Sequence, residues 1–224
     1  MPSCCSGPFR TIAERQFTTQ KASKELRRYR RKKLVVTTRL LRDGIVRAGL
    51  NTGTLLDVGA GIGALTFELL DRGMSDAIIV EASPAYLAAG RDEAARRQRD
   101  GAVRSVAGDF LEVADTLPAA NLVTLDRVVC CYPLYEPLLE AALRHAGNGF
   151  ACSYPNDRWY VRAVMWLENA KRARKNGFQT FVHPPSHMQA IVERAGFELA
   201  SRRSTLVWTM DVFVRSGTAQ RHAK

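Results

Sequence analysis

The stretch Gly53-Thr54-Leu55-Leu56-Asp57-Val58-Gly59-Ala60-Gly61-Ile62-Gly63-Ala64 decides the fold. Thr54 to Val58 is short and mostly apolar, which predicts a buried strand. Gly59, Gly61 and Gly63 cannot continue it, and Phe67, Leu69 and Leu70 begin a helix. A strand, a glycine turn and a helix N-terminus present bare backbone and unpaired N–H donors to a nucleotide-like ligand.

The motif alone leaves two ligands open. Gly59 to Ala64 satisfies the dinucleotide fingerprint, with acidic Glu81 near the ribose position about 20 residues on. Asp57, however, precedes the first glycine by two positions, where it would repel a pyrophosphate and favour a cationic amino-acid ligand. Asp109, in Gly108-Asp109-Phe110, follows the third candidate strand and could accept a hydrogen bond from an adenine amino group. A turn with only a structural role would not explain three acids at successive strand ends.

Outward from this motif, β and α segments alternate. Strands are expected at Ala77–Val80, Val103–Ala107, from Leu122 toward Asp126, and at Phe150–Ser153. Ser83-Pro84 caps a helix over Ala85–Gln98, and a second runs over Leu138–His145. This spacing implies a parallel sheet with helices on both faces. Beyond it, a long helix is expected at about 158–175, with Trp159, Ala163, Trp166, Ala170 and Ala173 on one stripe. That stripe would bury against the core or cover an acceptor. Ser186 to Gln189 fits a capping box, Gly196 ends that helix, and Phe197–Ser204 and Leu206–Val214 read as closing strands.

Of the net charge of +11, residues 10–47 carry most, with 13 Lys/Arg against Glu14, Glu25 and Asp43. The basic run Arg27 to Lys33 reads as a solvated face, an anion site or a nucleic-acid contact. Residues 1–50 are expected to form a basic helical arm, with disorder over 1–9. Residues 51–216 form the main domain, and 217–224 a disordered tail. Gly49 should end the helix that precedes the first strand. No run approaches the about 18 apolar residues of a membrane span, and Met1 to Cys5 lacks a signal-peptide core, so a cytoplasmic protein is expected. The five cysteines form neither a disulfide framework nor a metal-ligand pattern, and Cys130-Cys131 reads as a pair of small buried hydrophobes.

The pattern Asp57…Gly59-x-Gly61-x-Gly63…Glu81…Asp109 resembles the S-adenosylmethionine-dependent methyltransferases of the Rossmann-like class. Further stretches extend the resemblance over most of residues 20–215: Arg27 to Arg31, Glu81 to Tyr86, Leu125 to Pro133, Tyr154 to Trp159 and Phe181 to Pro185. They are similar to a small, mostly uncharacterised group of methyltransferases, and more distantly to the magnesium-protoporphyrin O-methyltransferases. The resemblance implies an α/β fold with a seven-stranded sheet whose last strand is antiparallel. It also implies S-adenosylmethionine lying across the strand ends, against Asp57, Gly59, Ala60, Gly61, Gly63, Glu81, Ala82, Asp109 and Phe110, with Arg127 and Arg30 available for carboxylates. His183, as base or substrate ligand, and Tyr132 are the catalytic candidates. The expected acceptor is a small anionic or aromatic molecule methylated at oxygen. RNA held by the basic arm, or cofactor binding without turnover, are the alternatives. Neither the sequence nor the resemblance sets the oligomeric state.

Overall fold

The computed structural model describes residue 12 and residues 14–217. The expectations for residues 1–9 and for the tail beyond 217 fall outside the described residues. Helices α1 (Thr19–Arg30) and α2 (Val36–Arg47) precede strand β1 (Gly53–Val58). There follow α3 (Ala64–Leu70), β2 (Met74–Glu81), α4 (Pro84–Arg96), β3 (Val103–Ala107), the single turn α5 (Phe110–Val113) and β4 (Ala120–Asp126). The chain ends with α6 (Tyr135–His145), β5 (Ala146–Pro155), α7 (Trp159–Ala173), α8 (Pro185–Arg194), β6 (Phe197–Ser204) and β7 (Trp208–Arg215).

All seven strands form one sheet in the order β3-β2-β1-β4-β5-β7-β6. Strands β1 to β5 pair in parallel, and β7 runs antiparallel to both β5 and β6. The expected doubly wound sheet with an antiparallel last strand is therefore present. Side-chain alternation divides its faces. Leu55, Ile79 and Leu122 join the core under α1 to α4, whereas Leu56, Val80 and Val123 join the core under α5, α6 and α8. Strand order reverses between β1 and β4, so a crevice opens at their C-terminal ends, where this architecture binds ligands.

Helix boundaries follow local chemistry. Thr18 caps α1 by accepting from the Lys21 N–H, and Ser83 caps α4 by accepting from Tyr86 N–H, with Pro84 in the first turn. Gly49, at φ 68°, ends α2 as expected. The Ser186 capping box does not form: the cap position is Pro184, two residues earlier, α8 begins at Pro185, and there is no side-chain cap. The N-terminal arm is not a separate layer either, since Ala22, Leu26, Tyr29, Leu41 and Ile45 are buried in the same core as β1 and α3.

Candidate active site

The chain makes an abrupt turn after β1. Gly59 and Ala60 donate to the Val80 carbonyl at 2.8 and 3.3 Å, which folds the loop over β2. Gly59 and Gly63 have φ of 61° and 77°, and a Cβ at either would lie 2.6 Å from Val128 or 2.9 Å from Phe67. These two glycines are thus required by the protein's own packing, and Gly63 does not line the cavity beneath the loop. Gly59, Ala60 and Gly61 do line it.

Glu81, at the end of β2, fastens this loop to the next helix. One carboxylate oxygen accepts from Gly61 N–H at 2.9 Å and the other from Ser83 N–H at 2.8 Å. A carboxylate has about four acceptor directions. The Ala82 N–H also bonds to that of Glu81, so about one direction remains for a ligand hydroxyl, and both Glu81 and Ala82 line the cavity.

Asp57 lies in mid-sheet register beside Ile79 and Thr124, is 1% exposed, and reaches the cavity floor. Thr66 and Thr124 hydroxyls donate to its two oxygens, each at 2.7 Å. Burial pushes its carboxyl up to about 7, against the pull of those two hydrogen bonds, with the Asp126 and Glu81 charges adding to the rise. A cation entering the cavity would reverse that shift.

Asp109 caps α5, accepting from Leu111 N–H at 3.1 Å, and the same oxygen accepts the Tyr132 hydroxyl at 2.7 Å. Its other oxygen is buried and has no partner. Burial raises its pKa, opposed by the Tyr132 and Leu111 hydrogen bonds. A buried acceptor without a donor matches a ligand that supplies one, as an adenine amino group does. Asp109 itself does not line the cavity, although the flanking Gly108 and Phe110 do, as does Tyr132, which holds it in place.

The turn after β4 is held in a strained form, with Arg127 at φ 62°. Its N–H donates to Ser153 Oγ at 2.8 Å, and the thiols of Cys130 and Cys131 both donate to its carbonyl at 3.6 Å. Arg127 lines the cavity, and its buried Nε–H makes no hydrogen bond but lies 3.9 Å from Asp126 Oδ1, an ion pair. Cys130 is buried, as expected; Cys131 is half-buried and lines the cavity. Neighbouring Asp126 accepts from the Thr38 hydroxyl, tying the arm to the strand end.

The arm forms the roof of a cavity of about 290 Å³. Phe17, Glu25, Arg28, Tyr29, Lys33 and Thr38 all line it; Arg28, Tyr29 and Lys33 belong to the basic run read as a candidate anion site, whereas Phe17, Glu25 and Thr38 were not marked in the sequence. Phe17 packs edge-on against Tyr86 and Phe178, at 5.5 and 5.3 Å between centroids. The Tyr86 hydroxyl donates to Glu25 at 2.9 Å, and Arg97 donates to the Tyr29 hydroxyl at 2.9 Å. Burial pushes the Glu93 carboxyl up, but hydrogen bonds from Arg96, Arg97 and Arg30 outweigh it and hold it at about 2.

That pairing corrects one expectation. Arg30 is bonded to Glu93 at 2.9 Å and does not line the cavity; the arm cations that do are Arg28 and Lys33. His183 is a second correction. It is buried outside the cavity lining, its ring 4.2 Å from that of Tyr135, with Nε2 bonded to the Tyr132 carbonyl at 2.9 Å. Burial lowers its pKa against the pull of the Tyr132 and Val129 carbonyls, so it is a neutral ring that holds the loop. The α7 stripe is a third: no residue of that helix lines the cavity, and both its tryptophans face solvent.

The sequence matches no protein-family model and no functionally curated protein. Its structure is similar to several solved ones. Magnesium protoporphyrin IX methyltransferase from Synechocystis PCC 6803, solved with bound SAH, superposes with a TM-score of 0.66 at 16% identity, covering 93% of each chain. An O-methyltransferase family protein from Burkholderia thailandensis gives 0.70 at 16% identity, covering 93% of this chain and 63% of the other. A candidate RNA methyltransferase from Pyrococcus horikoshii gives 0.57 at 14% identity, covering 82% and 83%. The chain has the fold of the class I S-adenosylmethionine-dependent methyltransferases.

Proposed function

We propose that the chain is an S-adenosylmethionine-dependent methyltransferase acting on a small anionic acceptor, at a carboxylate oxygen. The observation that carries the cofactor assignment is the row of acids around the glycine loop, above all Glu81, which is fastened to the loop through Gly61 N–H and lines the cavity beside Asp57. Glu81 would receive a ribose hydroxyl, Asp57 would face the cationic amino-acid end, and Asp109 and Phe110 would hold the adenine. S-adenosylmethionine supplies a methyl group on a positively charged sulfur, which an aligned nucleophile displaces. The protein's work is then alignment and exclusion of water, which a roofed cavity performs.

The cavity lining also supports an anionic acceptor. Arg28, Lys33 and Arg127 bring cations to its wall. No histidine lines it among the described residues, and the Tyr132 hydroxyl is committed to Asp109 with its pKa raised by burial. A carboxylate acceptor is already ionised at neutral pH and needs no base. Tyr132 acts here as a positioning residue for Asp109. Arg28 and Lys33 of the basic run, though exposed, reach the cavity, which supports an anionic acceptor beside the RNA reading.

Incubation with labelled methyl donor and cell extract, fractionated into metabolite, RNA and protein, tests the proposal. Label is expected in an acidic metabolite fraction as an alkali-labile ester; label in RNA, or none in any fraction, overturns it. The roof gives a second test. Removing residues 1–26 takes away Phe17 and Glu25, so it should weaken cofactor binding at least about tenfold, the scale of one charge-assisted hydrogen bond. Calorimetric titration that finds the affinity unchanged would show that the roof does not contribute.

A further inference from the structure

Helix α7 is built inside out. Val161 is its one buried side chain. The side turned toward the protein is otherwise largely polar: Asn169 exchanges two hydrogen bonds with the Thr180 backbone, at 2.8 and 2.9 Å, and Arg172 donates to the Thr180 hydroxyl at 2.8 Å. On the opposite face, Trp159, Ala163, Trp166, Leu167 and Ala170 lie within about 60° of one line along the helix. Trp159 is 81% exposed and Trp166 72%. The β6–β7 turn meets the first turn of α7 where the Tyr160 hydroxyl donates to the Leu206 carbonyl at 2.8 Å, and it adds Leu206, 77% exposed. Arg174 is exposed at the end of this band; Arg162 and Lys171, exposed along its edges, pair with Asp157 and Glu168. Neither the core nor the cavity uses it, and a contiguous apolar patch in water calls for an occupant.

Charge chooses among occupants. Residues 158–175 hold six Lys/Arg and one acid. The helix ends beside the basic arm, where Asn176 donates to the Gln16 side chain at 2.6 Å and Phe178 packs on Phe17. Burial, and then Lys175 and Arg172, lower the pKa of the Lys21 ammonium, which shows how closely the two basic segments approach. A second copy would set this positive face against itself. A polyphosphate strand would answer the cations but leave Val164, Leu167 and Leu206 in water. An anionic bilayer answers both, with aromatics at the headgroup level, alkyl groups below them and cations on the lipid phosphates and carboxylates.

We propose that the outer face of α7, with the β6–β7 turn, docks on the surface of an anionic lipid bilayer. The helix would lie in the plane of the interface along its length of about 22 Å.

The test uses the full chain with vesicles of phosphatidylcholine alone, or with about one-third phosphatidylserine, at about 0.1 M salt. Co-sedimentation is expected only with the anionic vesicles, with a blue shift of tryptophan emission. The pair Trp159→Ser and Trp166→Ser should lower partitioning at least about tenfold, with melting unchanged because both side chains are exposed. Arg174→Glu with Lys175→Glu should do the same. Equal binding to both vesicle types, no binding, or binding indifferent to the tryptophan pair each overturns the proposal. So does loss of RNA binding or of self-association in the tryptophan variant when the parent chain shows no vesicle binding.

Discussion

Glu81→Ala is expected to weaken S-adenosylmethionine binding by about ten- to a hundredfold, the cost of about 1.5–3 kcal/mol for a lost charge-assisted hydrogen bond. The effect should not be rescued by Glu81→Gln. Each Glu81 oxygen already accepts a backbone N–H, from Gly61 and from Ser83. A glutamine must set its amide NH₂ against one of those donors, so the loop loses a fastening as well as the ligand losing an acceptor. Calorimetric titration of both variants checks this. Wild-type affinity in the glutamine variant would mean that neither the charge nor the double fastening of the loop is needed for binding, and a gain of nicotinamide dinucleotide binding would refute the cofactor assignment.

Asp57→Asn should act on stability and binding in opposite directions. The Asp57 carboxyl has its pKa raised from an ordinary 3.8 to about 7, first by burial. The folded chain therefore keeps a proton that the unfolded chain releases above about pH 4, so stability falls as pH rises from about 4 to 7 and is fully present below that window. Three pH units correspond to about 4 kcal/mol. Asparagine removes the charge but keeps polar partners for Thr66 and Thr124, whose hydroxyls can donate or accept. Recovery of about half, 2 kcal/mol, would raise Tm at pH 8 by about 4–8 °C. The gain should vanish near pH 4, and cofactor affinity should fall throughout. Melting scans at several pH values decide it; a variant that melts no higher than the parent at pH 8 excludes a strained, ionised Asp57. The stability cost is consistent with a site prepared for a cationic ligand.

What could be read from the sequence was local. The β1–loop–α3 unit was legible because an apolar run, three glycines and a second apolar run occur within a few residues. The acids at the ends of β1 and β2 and after β3 followed from the alternation that placed the strands, and β3 and β6 were bounded to the residue. What failed depended on tertiary pairing. Arg28 faces the cavity and Arg30 faces Glu93, a choice made by a helix docking on α4 that no spacing in the basic run encodes. The α7 periodicity showed that a stripe exists, but period alone does not say which side turns inward. There Thr180, reached by Asn169 and Arg172, chose the polar side. His183 was read as chemistry because it lies before Pro184 and Pro185, in a segment expected near the mouth of the pocket. Its ring is instead engaged by a carbonyl supplied 51 residues earlier in the chain.

The roof of the cavity is synthesised first, yet its partners come late. Gln16 meets Asn176 across 160 residues of sequence, and Phe17 packs between Tyr86 and Phe178. Contacts of such separation carry the largest loop-closure cost and form once the intervening sheet exists. The arm should accordingly be the last unit to dock during folding and the first to open in the native state. Hydrogen exchange is expected to show the amides of Thr19–Arg30 opening at lower free energy than those of β1 and β4. Equal protection across all three would mean that arm and sheet fold as one unit. With the arm opening at lower free energy, cofactor and acceptor would enter and leave through sub-global unfolding of a single helix, with the seven-stranded sheet staying intact beneath it.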